Sequence, residues 1–192
     1  GKFVVLGNIN STADGKKPTR IHWSAFGDET DFQPAAWTQC DYEDLATGGQ
    51  VQRIVGGNEY GLVFQEDMVR TLRYVGGQPI FEIRPINYAP GTSIPRSVIA
   101  HEGVVYYISQ SGFIALDGLN VKYIGRNKVD KFFFDTYEAA GATYSAAFVS
   151  VAPDPLRKII WWAFPPDPLT YAPTWLGYKY DEDRWVYLTG PN

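Results

Sequence analysis

A chain of 192 residues with a formal charge of −4 and an isoelectric point near 5.2 lacks the clustered Lys and Arg of a general nucleic-acid-binding face. Its 45% of hydrophobic residues is enough for a real core, and the length suits one domain, 1–192, or part of one. The longest apolar run, residues 159–164, is far too short for a membrane helix, so no membrane partner is expected.

The 6 Trp, 13 Tyr and 11 Phe, set among 19 Gly and 13 Pro, favour short strands and tight turns over long helices. The single Cys40 excludes an internal disulfide. No signal-peptide pattern is visible. The chain opens on Gly1 rather than Met, as expected of a fragment or a processed product.

In chain order, residues 3–8 read as a strand, and 20–24 alternate and return as its hairpin partner across an extended polar loop at 10–18. Residues 27–49 lack periodicity, and a long irregular segment of this kind usually serves function or contact with a neighbour. Within it, residues 40–45 are predicted to make a single helical turn. A first clear unit follows, with strands at 51–55, 60–65, 69–75 and 81–84. Gly61-Leu62-Val63-Phe64 is nearly continuous in apolar character, the pattern of a strand covered on both faces.

Residues 87–92 read as a link between units. A second unit has strands at 97–100, 104–109, 113–117 and 121–124, and Val129, Phe132 and Phe133 then stand at helical spacing. The last unit begins over 144–151. It continues with a buried strand at 158–164, a break at 165–168, and a hairpin of 175–180 with 184–188 around the turn at 181–183.

Sliding the first unit forward by 42 residues puts Gly61 on Gly103, Val63 on Val105, Phe64 on Tyr106 and Leu72 on Ile114. A repeat of short strands at that period is the mark of a β-propeller blade. The predicted fold class is all-β: a β-propeller or partial propeller of four-stranded antiparallel blades with one or two short helices. The blades fall near 1–47, 48–90, 91–135 and 136–192. About fourteen strands make three and a half blades, so one blade is completed elsewhere or the chain is a slice of a longer one.

Catalytic signatures are sparse. His22 and His101 stand apart, and no zinc spacing is present. The nucleophile elbow, dinucleotide fingerprint and phosphate loop are all missing. Cys40 has no flanking signature and reads as a small, partly buried residue.

Asp28, Glu29, Asp31, Glu66, Asp67, Asp181, Glu182 and Asp183 fall in predicted turns, where backbone chemistry alone favours them. A glycosidase would need two of them across one cleft. Lys16-Lys17 reads as a solvated turn, and Arg53, Arg70, Arg73 and Arg84 are expected to pair with Glu66 and Glu82. Asn10-Ser11-Thr12 is a glycosylation sequon whose meaning depends on a eukaryotic secretory setting. No catalytic residues, no cofactor and no metal are predicted.

The aromatic excess has two readings. Tyr106, Tyr107, Trp161, Trp162, Trp175, Tyr178, Tyr180 and Trp185 fill cores and subunit contacts, or line a sugar-binding surface. Asp28, Trp37, Tyr42, Trp175, Tyr178 and Trp185 are the candidate interface or binding residues.

An ordered series of stretches carries a resemblance. It runs Arg20-Ile-His-Trp-Ser-Ala-Phe-Gly-Asp28, Gly48-Gly-Gln-Val-Gln-Arg-Ile-Val-Gly-Gly57, Tyr60-Gly-Leu-Val-Phe-Gln-Glu66 and Arg73-Tyr-Val-Gly-Gly-Gln-Pro-Ile-Phe81. It continues with Gly91-Thr-Ser-Ile-Pro-Arg-Ser97, Ile108-Ser-Gln-Ser-Gly-Phe113 with Asp117-Gly118, Ile124-Gly-Arg-Asn-Lys-Val-Asp-Lys-Phe-Phe133 and Asp181-Glu-Asp-Arg-Trp185. In this order the chain resembles the tail nozzle or hub proteins of short-tailed bacteriophages and prophages, related to tail tubular protein B and packaged-DNA stabilisation proteins.

The resemblance implies a structural virion protein of the tail or head–tail connector, assembled in the bacterial cytoplasm and located in the phage tail. It implies a propeller subunit in a homo-oligomeric ring below the portal, with portal, adaptor and tail subunits as partners. DNA would pass through the ring without sequence recognition and be retained by it. The resemblance carries no catalytic residue over. The alternative is a carbohydrate-binding propeller, a lectin-like receptor-binding module.

Overall fold

A computed structural model of the chain describes residues 2–12, 14–139, 141, 146–164 and 173–189. Among these the protein is all-β, with fifteen strands in four antiparallel sheets, a ten-residue α-helix, a short helical stretch at 146–148 and a 3-10 turn at Pro95–Ser97. No helix is long and apolar enough to cross a membrane among the described residues. The chain divides into two compact units, residues 1–92 and 93–192, each holding two sheets.

In the first unit, β1 (Val5–Ser11), β2 (Gly15–Trp23) and β3 (Asp41–Asp44) form a three-stranded sheet in chain order. The extended loop expected at 10–18 is absorbed into the hairpin. β1 runs on to Ser11 and β2 resumes at Gly15, because Gly15 takes a φ of 68° and the Ser11 hydroxyl accepts the Asp14 N–H at 3.0 Å. The helical turn expected at 40–45 is instead strand β3. It pairs with β2 through His22 opposite Tyr42 and Arg20 opposite Asp44, and the Arg20 fork grips that carboxylate at 2.7 and 2.8 Å.

β4 (Val51–Val55), β5 (Gly61–Gln65), β6 (Met68–Tyr74) and β7 (Phe81–Pro90) make the second sheet. β7 extends through residues 87–90, which the sequence reading assigned to a link. Met68 pairs with Pro90 after a bulge, so the sheet reaches to the unit's end. Gly91 then passes so close to β5 that a Cβ there would lie 2.0 Å from the Gln65 carbonyl oxygen. Ile21, Trp23 and Leu45 of the first sheet region pack with Val51, Val63, Leu72 and Phe81 of the second. Leu62, Val63 and Phe64, consecutive in β5, are all buried.

The second unit opens with β8 (Ile99–His101), β9 (Val104–Ser109), β10 (Gly112–Asp117) and β11 (Asn120–Tyr123), an up-and-down meander. The helix α1 (Asp130–Ala139) follows. Its first residue ties it to the sheet, because the Asp130 carboxylate accepts the Phe113 N–H at 3.1 Å. Phe133 and Tyr137 lie four residues apart, hence on one helix face, and both are buried; Phe132 is exposed.

A final meander comprises β12 (Ser150–Asp154), β13 (Ile159–Phe164), β14 (Thr174–Lys179) and β15 (Arg184–Thr189). β12 starts only at Ser150, and the predicted break at 165–168 lies outside the described residues, as does 144–145. Trp162 sits at the centre of this unit's core, fully buried. It donates its indole N–H to the Ser97 carbonyl at 2.9 Å, and its ring meets Phe113 edge-on at 5.0 Å.

Candidate interaction surfaces

Asp28 and Trp37 lie in the connection between β2 and β3. Asp28 is exposed, and its Oδ1 accepts both the Thr30 N–H at 2.9 Å and the Thr30 hydroxyl at 2.7 Å. The Thr30 hydroxyl, then the Thr30 N–H, hold this carboxyl below the usual range. The arrangement is an Asx turn that shapes the loop. Trp37 is 88% exposed, an indole presented to the outside. Tyr42, on β3, lies under the Arg20 guanidinium at 3.8 Å and edge-on to His22 at 5.7 Å.

The second unit separates the other three candidates. Strand periodicity puts Trp175 and Tyr178 on opposite faces of β14. Tyr178 is buried and donates its hydroxyl to Asp183 at 2.9 Å; burial, then that bond, raises its phenol. Trp185, its cross-strand partner, is half-buried. It donates its indole N–H to the Ile124 carbonyl at 2.9 Å, with Phe113 at 4.8 Å. Tyr178 and Trp185 are therefore core residues, a correction to their placement on a surface. Trp175 faces outward.

The register shows what Trp175 belongs to. Across β12–β15 the outward face carries one row of Ser150, Ala163, Trp175 and Leu188, and a second of Ala152, Trp161, Gly177 and Val186. A third row ends in Lys179 and Arg184. Gly177 has no side chain because the Trp161 ring and Val186 fill the space; a Cβ there would lie 2.6 Å from Trp161 Cζ3. Trp175, Val186 and Leu188 are exposed, Leu188 by 53%. The opposite face, with Ile160, Trp162, Phe164, Leu176 and Tyr178, is core.

The sheet is thus apolar on both sides. Sequence reasoning grouped Trp175 with Trp161 among the aromatics but did not find Val186 or Leu188 beside it. The signal available was the unbroken apolar run from Trp185 to Leu188, which no half-solvated strand needs.

The structure brings one pair of reactive groups together that the sequence kept apart. Cys40 Sγ lies 3.7 Å from His22 Nε2. The thiol is buried, donates to the Trp23 carbonyl at 3.2 Å and is pushed up to about 11 by burial first, then by Asp31 and Asp41. Burial and Arg20 lower His22 in turn. Both shifts favour the neutral forms, the reverse of a thiolate–imidazolium nucleophile.

His101 hydrogen-bonds the Tyr180 hydroxyl at 3.2 Å. Arg84 pairs with Glu82, whereas Arg70 turns from the expected Glu66 to Gln65 and Thr47. Among the described residues no group of three His, Cys, Asp or Glu side chains is placed to hold a metal ion.

Compared with known proteins, the chain matches no family model and no curated protein sequence.

Proposed function

We propose that this chain is a structural subunit of a phage or prophage tail or head–tail connector. It assembles with copies of itself into a ring that DNA traverses and that helps retain packaged DNA. Two things support the reading: the ordered series of stretches that resembles tail nozzle proteins, and the outward face of β12–β15.

That face is the single observation that carries it. Trp175, Val186 and Leu188 stand in register on one sheet surface, with Trp161 and Ala163 beside them. Exposed apolar patches that form a contiguous surface mark interaction sites. Covering each Å² of apolar surface stabilises a contact by roughly 25 cal/mol, and an indole at its centre is the usual anchor. A contact between two different faces of identical subunits closes into a ring when the rotation between them allows. The net charge of −4 supplies no phosphate-attracting surplus, so overall charge does not trap DNA in passage.

The test combines mass measurement in solution with labelling of phage particles by an antibody to this chain. The reading expects a defined multiple of 21.5 kDa and labelled tails. A strictly monomeric protein absent from virions contradicts it.

A further inference from the structure

We infer that an open cleft in the first unit binds an oligosaccharide, a role independent of ring assembly. The cleft encloses about 760 Å³, within the ~300–1,000 Å³ typical of small-molecule sites. One wall is aromatic. Phe26 and Tyr74 are 48% and 42% exposed, and their rings are nearly parallel, 7° apart with centroids separated by 6.1 Å. Phe3, also in the lining, packs against both at 5.2 and 5.3 Å and meets Phe81 at 5.0 Å.

Hydrogen bonds hold the Tyr74 ring and the backbone at Phe26. The Tyr74 hydroxyl donates to Gln39 Oε1 at 2.9 Å, and the Phe26 N–H donates to the Thr38 carbonyl at 2.9 Å. A platform held before the ligand arrives loses little freedom on binding. Polar side chains share the lining: Lys2, Asn58 and Glu59, the last two on the turn between β4 and β5.

The ligand class follows from this division. A pyranose presents one face of C–H groups and a girdle of hydroxyls. The C–H face suits Phe26 and Tyr74, and the hydroxyls suit an amide, a carboxylate and an ammonium that together both donate and accept. A phosphorylated ligand needs more cationic charge than Lys2, in a lining that also holds Glu59, provides. The open shape accommodates a residue within a longer chain rather than a free lipid, which an enclosed apolar cavity would suit better.

The test is an array of neutral and acetamido oligosaccharides, followed by calorimetry on any sugar bound. Wild-type protein is expected to bind a defined set. Phe26→Ala and Asn58→Ala are each expected to weaken binding at least tenfold, Phe26→Tyr to keep it, and Trp175→Ala, on the other unit, to leave it unchanged. Thermal melts establish that every variant is folded. An array with no bound sugar, binding that survives both Phe26→Ala and Asn58→Ala, or a peptide competing for the cleft where no sugar binds overturns the inference. Oligomeric mass, measured on the same samples, judges the assembly reading separately.

Discussion

Gln65 is buried with its amide fully used. Its Nε2 donates to the Thr47 and Gly49 carbonyls at 2.9 and 2.7 Å, and its Oε1 accepts from Arg70 at 2.7 Å. One side chain thereby holds the Gly48-Gly49 turn against β5. Nothing in the sequence singles it out, since a Gln ending an apolar strand reads as the strand's return to solvent. Replacing it by Leu keeps the volume and takes this partner from the Gly49 carbonyl and Arg70 Nε, while the Thr47 carbonyl keeps Arg70 Nη2 at 3.1 Å; a buried polar group left unpaired costs about 1–3 kcal/mol. Gln65→Leu should therefore lower stability toward urea by about 1–3 kcal/mol on that scale, while a wild-type-like midpoint would remove Gln65 from this role.

Arg20 and Asp44 make the second residue-scale case. The Arg20 side chain is almost wholly buried, and its hydrogen bond holds the Asp44 carboxyl below its ordinary value. A carboxyl lowered in the folded state contributes stability that is complete above its unfolded value, about 3.9, and is lost as pH falls through the lower folded value. Melting temperature measured against pH should therefore show wild type above Asp44→Asn at pH 7, with the gap closing below about pH 4. A gap constant across that range would remove Asp44 as its source. Asp44 is half-exposed, so solvent screening keeps the gap modest.

At the scale of elements, strands were legible where both faces are buried or where turns are marked by Gly and Asp. Gly61–Gln65, Val104–Ser109 and the β14–β15 hairpin fall within a residue or two of their sequence assignments. β3 was not legible, because Asp41–Asp44 is exposed along its whole length and carries no apolar alternation; its pairing comes from Arg20 across the strand. β7 was cut short in the sequence reading because Pro85, Asn87 and Pro90 look like a linker, whereas a bulge accommodates them at the edge of the sheet.

The candidate surface was half legible. Trp175 was found, but Tyr178 and Trp185 were misplaced because two consecutive aromatic-rich strands hide which parity faces the core. Phe26 and Tyr74 were missed because they lie 48 residues apart in sequence. On the inward face, Trp162→Ala should cost roughly 3–5 kcal/mol by leaving a cavity between Phe113 and Trp185 and by orphaning the Ser97 carbonyl. Chemical denaturation measures it, and a loss below 1 kcal/mol would contradict a core centred on that indole.

At the scale of the molecule, the four antiparallel meanders of three to four strands follow one another along the chain, and the last carries an apolar patch of Trp175, Val186 and Leu188 on its outward face. That surface is the feature an isolated subunit least needs and a subunit in an assembly most uses. It belongs to the second unit and the residues proposed to meet sugar belong to the first, so separate substitutions test each.

The measurement closest to the central claim is the mass of the protein in solution, by sedimentation or light scattering, for wild type and for Trp175→Lys combined with Leu188→Lys. Both substitutions lie on the outward face, clear of the core, so the variant should fold and melt near wild type. The account predicts a wild-type oligomer of defined size and a monomeric variant. Wild type that stays monomeric at all concentrations, or a variant that assembles as wild type does, contradicts it.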